Sequence, residues 1–252
     1  MALHLKKLGS SRSYREESGE FLCDGIKLLE DAVNSGARIT AVIASTQIPF
    51  PLSVDTRVFF ADRDLIDSLS PLKNAQNILF SCKIPSFGVL FETETRSSID
   101  KTGVHILLDE VQDPSNVGAI IRTANALRVK SVIMTGGCAD PYNPKAVRAS
   151  MGAIFRQMIY PMSFSELQQQ RGAGARFIAA MPGEGSRDIT AIELKDAIIC
   201  IGSEGKGLSE NVLSLCDERV TIPLAPGSES LNAAAAAAII IWEATKPGSY
   251  NK

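Results

Sequence analysis

Histidine is nearly absent from the sequence. Only His4 and His105 occur among the 252 residues, and His105 stands in the apolar run Val104–Leu108. A lone histidine in such a run is more often a core residue than a catalyst. Nucleophilic mechanisms that use histidine as the base, of the Ser-His-Asp or Cys-His type, are therefore not expected.

Cysteine is scarce and irregularly placed. The cysteines are odd in number, lie far apart and form no C-x-x-C pair; they are Cys23, Cys82, Cys138, Cys200 and Cys216. This pattern argues against a disulfide framework and against a structural zinc site, and it favours a reducing compartment. We therefore predict a cytoplasmic protein without a bound metal.

Long hydrophobic runs are also missing. The run Ala233–Trp242 is apolar but too short and too rich in alanine to cross a bilayer, so no membrane partner is expected. The N-terminal stretch Met1–Arg15 is basic and contains no acidic residue. It could be an organellar transit peptide. Because no long apolar or arginine-rich helix follows, we favour a basic arm of a cytosolic protein.

The charge balance limits the kind of nucleic-acid surface that can be present. The formal net charge is −2 and the isoelectric point lies near 5.8, whereas broad nucleic-acid surfaces are usually basic. An RNA partner would therefore bind a local positive surface. Its candidates, which could equally be solvated helix charges, are Arg128, Lys145, Arg148 and Arg156.

Strand-like and helical stretches alternate in two groups. The first group has a small α/β pattern, and the polar, aperiodic segment Phe91–Thr102 that follows is typical of a linker or exposed loop. The later strand-like runs are Val104–Leu108, Ser131–Thr135, Gln157–Tyr160, Arg176–Ala180, Ala197–Ile201 and Arg219–Ile222. The helical stretches among and after them include Val117–Leu127, Pro144–Ser150, Ser163–Gln170, Leu208–Leu215 and Leu231–Ala244. This alternation predicts a mostly parallel sheet, with ligand sites at the carboxyl ends of its strands.

The segment Leu107–Arg122 predicts a buried strand, a sharp polar loop and a helix. The loop carries Asn116, and Arg122 follows six residues later inside a helix that is otherwise apolar and small. A buried guanidinium is costly unless it has a partner or a ligand. We therefore expect Arg122 either to hold a ligand together with Asn116 or to form a buried ion pair with Asp109 or Glu204.

Two further loops follow predicted strands. Gly202–Ser209 contains three glycines, which allow close approach of the backbone to a ligand. It matches neither a P-loop nor G-x-G-x-x-G, so by itself it is a strand-to-helix turn or a ligand loop. The third loop, Pro223–Asn232, precedes the alanine run, where Ser230 and Asn232 are candidates as helix caps or as functional groups.

Taken together and in this order, the three loops resemble the SpoU (TrmH-like) branch of the SPOUT RNA methyltransferases. The pattern D-P-x-N-x-G-x-x-x-R of its first motif is present as Asp113, Pro114, Asn116, Gly118 and Arg122. Its second and third motifs resemble Ile201–Gly205, Ile222–Leu224 and Ser230–Asn232. The N-terminal segment around Glu20–Gly25 is similar to the small substrate-binding domain of many relatives. As a departure, Arg128 stands where relatives commonly have glycine.

The resemblance implies an α/β fold in two parts. Residues 1–95 would form a small α/β RNA substrate-binding domain, and residues 96–252 a catalytic domain with a parallel sheet and a deep trefoil knot. Relatives are homodimers whose active site uses both subunits, so a homodimer is expected. The implied cofactor is S-adenosylmethionine. Carried over residue by residue, its contacts fall on Gly202, Ile222 and Leu231, with Thr135, Gly136 and Leu224 as neighbours.

The implied reaction is methyl transfer to a ribose 2′-hydroxyl of RNA. By analogy with relatives that carry an N-terminal domain, ribosomal RNA is favoured over tRNA. The candidate catalytic residues are Asn116, Arg122, Glu204, Ser230 and Asn232. Because a guanidinium is effectively always protonated, we expect Arg122 to anchor a phosphate and stabilise the developing alkoxide, with Asn116 and Glu204 fixing its orientation.

Other interpretations remain at this point. One is a tRNA 2′-O-methyltransferase, and another is a non-catalytic RNA-binding or ribosome-assembly factor on the same fold, against which the presence of every polar candidate argues. A dinucleotide-dependent oxidoreductase on an open α/β sheet is disfavoured, because no G-x-G-x-x-G follows the first strand of the sheet.

Overall fold

The chain forms two compact units in a computed structural model that describes residues 1–73, 75–85, 99–227 and 230–246. As far as the described residues go, the first unit consists of Met1–Pro85 and Asp140–Arg156, and the second of Ser86–Ala139 and Gln157–Lys252. The predicted linker Phe91–Thr102 lies mostly outside the described residues, and so does the boundary predicted between residues 95 and 96, which stays a prediction. Ile99, at the end of that linker, is buried in the core of the second unit.

A four-stranded mixed sheet organises the first unit. Its elements before residue 85 are α1 (Ala2–Ser10), α2 (Arg12–Ser18), β1 (Glu20–Asp24), α3 (Ile26–Asn34), β2 (Ile39–Ala44), β3 (Arg57–Phe60), α4 (Arg63–Leu69) and β4 (Ile78–Lys83). The strand order is β1-β4-β2-β3. Strand β4 runs antiparallel to both β1 and β2, and β3 runs parallel to β2.

The basic N-terminus is not an arm, and that expectation was wrong. Residues 2–18 form α1 and α2, and Leu5 and Leu8 of α1 are fully buried in a cluster with β1, β2, α4 and β4. Arg15 on α2 is buried, and its guanidinium pairs with Asp140 at 2.5 Å. The prediction was based on the positive charges of this stretch and overlooked its apolar face, which is formed by Leu5 and Leu8 at helical spacing.

A seven-stranded sheet forms the second unit. Its strands are β5 (Val104–Asp109), β6 (Ser131–Met134), β7 (Met158–Pro161), β8 (Phe177–Ala180), β9 (Arg187–Asp188), β10 (Ala197–Gly202) and β11 (Glu218–Thr221). The strand order is β7-β6-β5-β10-β8-β11-β9, and every neighbouring pair is parallel. The predicted parallel sheet is confirmed. The order reverses between β5 and β10, so ligands are expected outside the carboxyl ends of these two strands.

The helices of this unit begin and end close to the predicted positions. They are α5 (Pro114–Ala126), α7 (Phe164–Gly172), α8 (Glu210–Leu213) and α9 (Ala233–Thr245). Helix α5 starts three residues before the predicted Val117, because the Asp113 side chain accepts from the Ser115 N–H and Pro114 occupies the first helical position. Asn116 therefore lies in the first turn of α5 and not in a loop. After α5, Arg128 has a φ of 60°, the conformation that glycine favours.

The segment Asp140–Arg156 carries α6 (Pro144–Ser150) and a short 3₁₀ helix, Ala153–Phe155, within the first unit. The Phe21 ring packs in a tilted orientation against the rings of Tyr142 and Phe155, at centroid distances of 5.0 and 6.0 Å. Two of the basic residues proposed for an RNA surface have polar partners in this unit. Arg148 pairs with Asp24 at 2.7 Å, and Arg156 donates to the Ser35 hydroxyl at 3.0 Å.

No helix in the described part of the chain is long and apolar enough to span a membrane. In the same residues, no group of three or more histidine, cysteine, aspartate or glutamate side chains is placed to hold a metal ion. The five cysteines are free thiols.

His105 is a core residue of β5, as predicted. Its Nε2 donates to the Asp100 carbonyl at 2.7 Å, and because a carbonyl can only accept, Nδ1 is left to accept from the Ser131 hydroxyl at 2.7 Å. Burial disfavours the charged imidazolium and lowers the pKa of His105 below its ordinary value of 6.5.

We expect this histidine to make the protein less stable in mild acid. Between the lowered pKa of the folded state and 6.5, the unfolded chain binds more protons, so stability is complete above that range and falls as the pH drops into it. Melting temperatures measured at about pH 7.5 and about pH 5.5 should differ less in His105→Gln than in the wild type, because glutamine does not titrate. An equal difference in both proteins would contradict the assignment.

Candidate active site

The first two loops of the sequence meet because β5 and β10 are neighbours. Gly202, the last residue of β10, lies in register with Asp109, the last residue of β5. Since parallel strands end at the same edge of a sheet, the segments that follow them emerge side by side. Asn116 and Glu204, which are 88 residues apart in sequence, are thereby brought within hydrogen-bonding distance.

The loop after β10 is a tight, closed turn. Ser203 and Gly207 exchange two backbone hydrogen bonds of 3.0 Å each. At Gly202 a Cβ atom would lie 2.1 Å from the carbonyl carbon of Gly207 and 2.3 Å from the nitrogen of Leu208. The glycine is therefore required by the close approach of two backbone segments, whereas the sequence had suggested an approach of the backbone to a ligand.

Three polar side chains form a hydrogen-bonded chain beside this turn. Asn232 Nδ2 donates to Asn116 Oδ1 at 3.1 Å, and Asn116 Nδ2 donates to Glu204 Oε1. Asn116 is buried, with an exposed fraction of 8%, whereas Glu204 and Asn232 reach the surface. The arrangement fixes the amide plane of Asn116 from both sides and orients the Glu204 carboxylate.

Asn232 serves both purposes that the sequence left open. Its Oδ1 accepts from the N–H groups of Ala234 and Ala235 and so caps α9. Its Nδ2 remains available for the bond to Asn116. Ser230, the other cap candidate, does not cap α9. It is exposed and lines the adjacent cavity.

The cavity has a volume of about 250 Å³ and opens at the carboxyl ends of β8, β10 and β11. Most of its lining is apolar side chain or strand-end backbone, and Glu204 supplies a carboxylate. The described lining residues are Ala180, Met181, Pro182, Ile201, Gly202, Ser203, Glu204, Gly207, Val220, Thr221, Ile222, Leu224, Ser230, Leu231, Ala233, Ala236 and Ile240.

Of the six residues expected around the cofactor, four line this cavity: Gly202, Ile222, Leu224 and Leu231. Thr135 and Gly136 are not among its described lining residues. Sequence reasoning missed the contributions of the β8 end and of α9, including Ala233 and Ala236. The available signal was the alanine run itself, whose small side chains leave space on both sides of a helix. Helix α9 also packs against α5.

Arg122 is not buried, contrary to the sequence-based expectation. It lies exposed on α5. Six residues of α-helix turn the chain through about 600°, so Asn116 and Arg122 project about 120° apart. Asp109 accepts from Ser209 and Thr135, and Glu204 accepts from Asn116. Within the described residues, the guanidinium of Arg122 has no hydrogen-bond or ion-pair partner, which excludes the expected ion pair there.

Comparison with known proteins identifies the family. The sequence profile described as the SpoU rRNA methylase family matches residues 103–242, which is more than half of the chain. The chain belongs to the SpoU family. A second profile, described as an MRM3-like substrate binding domain, matches residues 4–79. This SpoU chain therefore carries a small N-terminal domain of the kind that the resemblance implied.

Some relatives match over nearly the whole chain, and others match over little more than half of it. RlmP of Bacillus subtilis, a 23S rRNA (guanosine(2553)-2′-O)-methyltransferase, is 27% identical and covers 94% of this chain and 92% of its own length. The crystal structure of AviRb from Streptomyces viridochromogenes in complex with AdoMet matches with a TM-score of 0.82 at 27% identity, covering 97% of this chain and 96% of that one. A structure concerned with 2′-OH methylation of C/U34 on tRNA matches with a TM-score of 0.51 at 26% identity; it covers 57% of this chain and 95% of its own.

Proposed function

We propose that this protein transfers a methyl group from S-adenosylmethionine to a ribose 2′-hydroxyl of ribosomal RNA. The observation that carries the proposal is the cavity at the ends of β10 and β11, with the Asn232–Asn116–Glu204 chain beside it. Relatives in the same family are named as 23S rRNA 2′-O-methyltransferases.

The cavity fits the chemistry of this cofactor. Apolar walls from Ile222, Leu224 and Leu231 and the bare backbone of Gly202 suit an adenine, which can be held without charged side chains. The Glu204 carboxylate supplies the negative charge that a sulfonium cation favours. When bound, S-adenosylmethionine provides a methyl group already activated for in-line displacement.

The residues of the chain then have to position and activate the hydroxyl group. The Asn116 amide orients Glu204, and Ser230 offers a hydroxyl group at the cavity wall. Arg122, exposed and without a described partner, is available for an RNA phosphate. Since a guanidinium stays protonated near neutral pH, Arg122 acts here as an electrostatic anchor and not as the base.

Ribosomal RNA is favoured over tRNA by the extent of the matches. RlmP and AviRb match both parts of this chain, including the substrate-binding part. The structure on tRNA methylation matches little more than half. The N-terminal part of the chain is therefore the part that we expect to select ribosomal RNA over tRNA.

A homodimer is part of the proposal. Helix α9 exposes Ala235, Ile239 and Trp242, which recur at helical spacing and form an apolar stripe. Trp242 is the only tryptophan of the chain and is 55% exposed. Sedimentation should give twice the chain mass of 27.0 kDa, and Trp242→Arg should sediment as a monomer. A wild-type monomer would refute this part of the proposal.

The trefoil knot stays a prediction that rests on the family resemblance.

The direct test is a methyl-transfer assay with radiolabelled S-adenosylmethionine and unmodified 23S rRNA, using bulk tRNA as the comparison substrate. The proposal requires label in rRNA, with loss of reactivity at one ribose 2′-hydroxyl in primer extension. Binding of RNA without calorimetric binding of S-adenosylmethionine would instead support a non-catalytic assembly factor.

Arg122→Lys should separate charge from geometry. Lysine keeps the positive charge but loses the planar fork that binds phosphate with two hydrogen bonds. We expect kcat to fall at least about tenfold, with affinity for S-adenosylmethionine unchanged, because Arg122 does not line the described cavity. An Arg122→Lys enzyme with near-full turnover and intact RNA affinity would remove Arg122 from the mechanism.

A further inference from the structure

Asp109 is a buried carboxyl group at the carboxyl end of strand β5 of the parallel sheet. Its exposed fraction is 2%, and it is the last residue of β5. Its Oδ2 accepts from the backbone N–H of Ser209 at 2.7 Å, and its Oδ1 accepts from the Thr135 hydroxyl at 3.0 Å. Loss of either bond would leave a buried carboxylate oxygen without a partner, which is costly in free energy, so we expect the folded chain to keep both bonds.

Thr135 extends this network to the end of β6. Its hydroxyl group donates to Asp109, and its oxygen accepts from the N–H of Glu110 at 3.1 Å. Glu110 has a φ of 55°, which is uncommon for a residue other than glycine. The hydroxyl group of Thr135 thus stabilises the sharp turn after β5 and holds the carboxyl group of Asp109 in place.

The same carboxyl group anchors the loop that carries Glu204. At one end of this loop, Gly202 lies in the sheet opposite Asp109. At the other end, Ser209 is bonded to Asp109 and caps α8 through its own hydroxyl group. With both ends fixed and the turn closed between Ser203 and Gly207, Glu204 has little freedom in its approach to Asn116.

We propose that Asp109 and Thr135 are positioning residues that hold the Glu204 carboxylate in its reactive place. Neither is a described lining residue of the cavity, which favours a role through the loop that carries Glu204 over direct contact with the cofactor. Thr135, which the family resemblance had placed beside the cofactor, acts through Asp109. This inference rests on the proposed function, because it assigns Glu204 a part in methyl transfer.

The test uses two substitutions at one position. Thr135→Val keeps the size and removes the hydroxyl group, whereas Thr135→Ser keeps the hydroxyl group. Loss of one hydrogen bond to a buried charged group corresponds to about a tenfold effect. We expect Thr135→Val to lower kcat about tenfold and Thr135→Ser to stay within about twofold of the wild type. Asp109→Asn, which retains only one acceptor, should resemble Thr135→Val.

A double-mutant cycle with Glu204→Ala distinguishes positioning from a general structural role. If Thr135 acts through Glu204, Thr135→Val should have little further effect on kcat once Glu204 is removed. If the reductions in kcat caused by Thr135→Val and by Glu204→Ala simply multiply in the double variant, the inference is overturned. The assays are run well below the melting temperatures of the variants. A Thr135→Val enzyme whose main change is weaker binding of S-adenosylmethionine would also overturn it in favour of direct contact.

Hydrogen exchange keeps failure of the inference distinct from failure of the proposed function. Amides of residues 202–209 should exchange faster in Thr135→Val and Asp109→Asn than in Thr135→Ser. If the wild type transfers no methyl group, the proposed function fails and the positioning role with it, although the anchoring can still be observed. If the wild type is active and exchange in this loop is unchanged, only the inference fails.

Discussion

Replacement of Gly202 by alanine should abolish binding of S-adenosylmethionine. The added methyl group would lie 2.1 Å from the carbonyl carbon of Gly207 and 2.3 Å from its oxygen, and backbone atoms cannot turn aside as a flexible side chain can. The turn between Ser203 and Gly207 must therefore open or shift. Because Gly202, Ser203 and Gly207 all line the cavity, its shape changes with the turn. We expect affinity to fall at least about 100-fold, and stability to fall by about 3 kcal/mol.

Gly205→Ala is the matched control within the same loop. A Cβ atom at Gly205 meets nothing within 4 Å, and its φ is not in the left-handed region. This variant should bind S-adenosylmethionine like the wild type in calorimetry and melt at the same temperature. A folded Gly202→Ala protein with wild-type affinity would show that the cavity is not the cofactor site.

The second large effect is expected at Asn116. Asn116→Asp replaces the amide that donates to Glu204 with a second carboxylate of the same size. Two like charges at hydrogen-bonding distance repel each other, and the donated bond is lost. We expect kcat/KM to fall about 100-fold, equivalent to about 2.7 kcal/mol. Asn125→Asp, on the same helix and without a described contact to Glu204, should stay within about twofold.

Exchanging the two groups separates orientation from charge. In the double variant Asn116→Asp, Glu204→Gln, the glutamine amide can donate to the new carboxylate, which still accepts from Asn232. We expect the melting temperature to return toward the wild-type value while kcat stays low, because the negative charge has left the cavity wall for a residue that does not line it. Full recovery of kcat would show that only the hydrogen-bonded link matters.

Asn116 and Arg122 show that a prediction from sequence proximity fails when the rotation of side-chain directions along a helix is left out. Their proximity in the chain suggested a joint site, yet on α5 they project in different directions, and Arg122 is exposed. The start of α5 could have been predicted from the sequence. Asp113 is a typical helix cap and Pro114 a typical first helical residue, which places Asn116 in the first turn.

The N-terminal helices show a different kind of failure. Leu5 and Leu8 supply only a short apolar face among basic and polar residues, and two turns of helix are not stable by themselves. Their structure depends on burial against the sheet of the first unit, which sequence periodicity in so short a stretch could not reveal. The same holds for Arg15, whose burial requires Asp140, a residue 125 positions away.

The sequence by itself determined the parallel α/β sheet of the second unit, because buried strands appear as apolar runs. It also identified the segments that supply the polar site residues, because those residues directly follow such runs. Tertiary structure alone decided which of those residues meet. Asn116, Glu204 and Asn232 contact one another because β5 and β10 are adjacent and end in register. Strand order is set by the packing of the whole sheet, so no local pattern could show that Asp109 would hold the loop that carries Glu204.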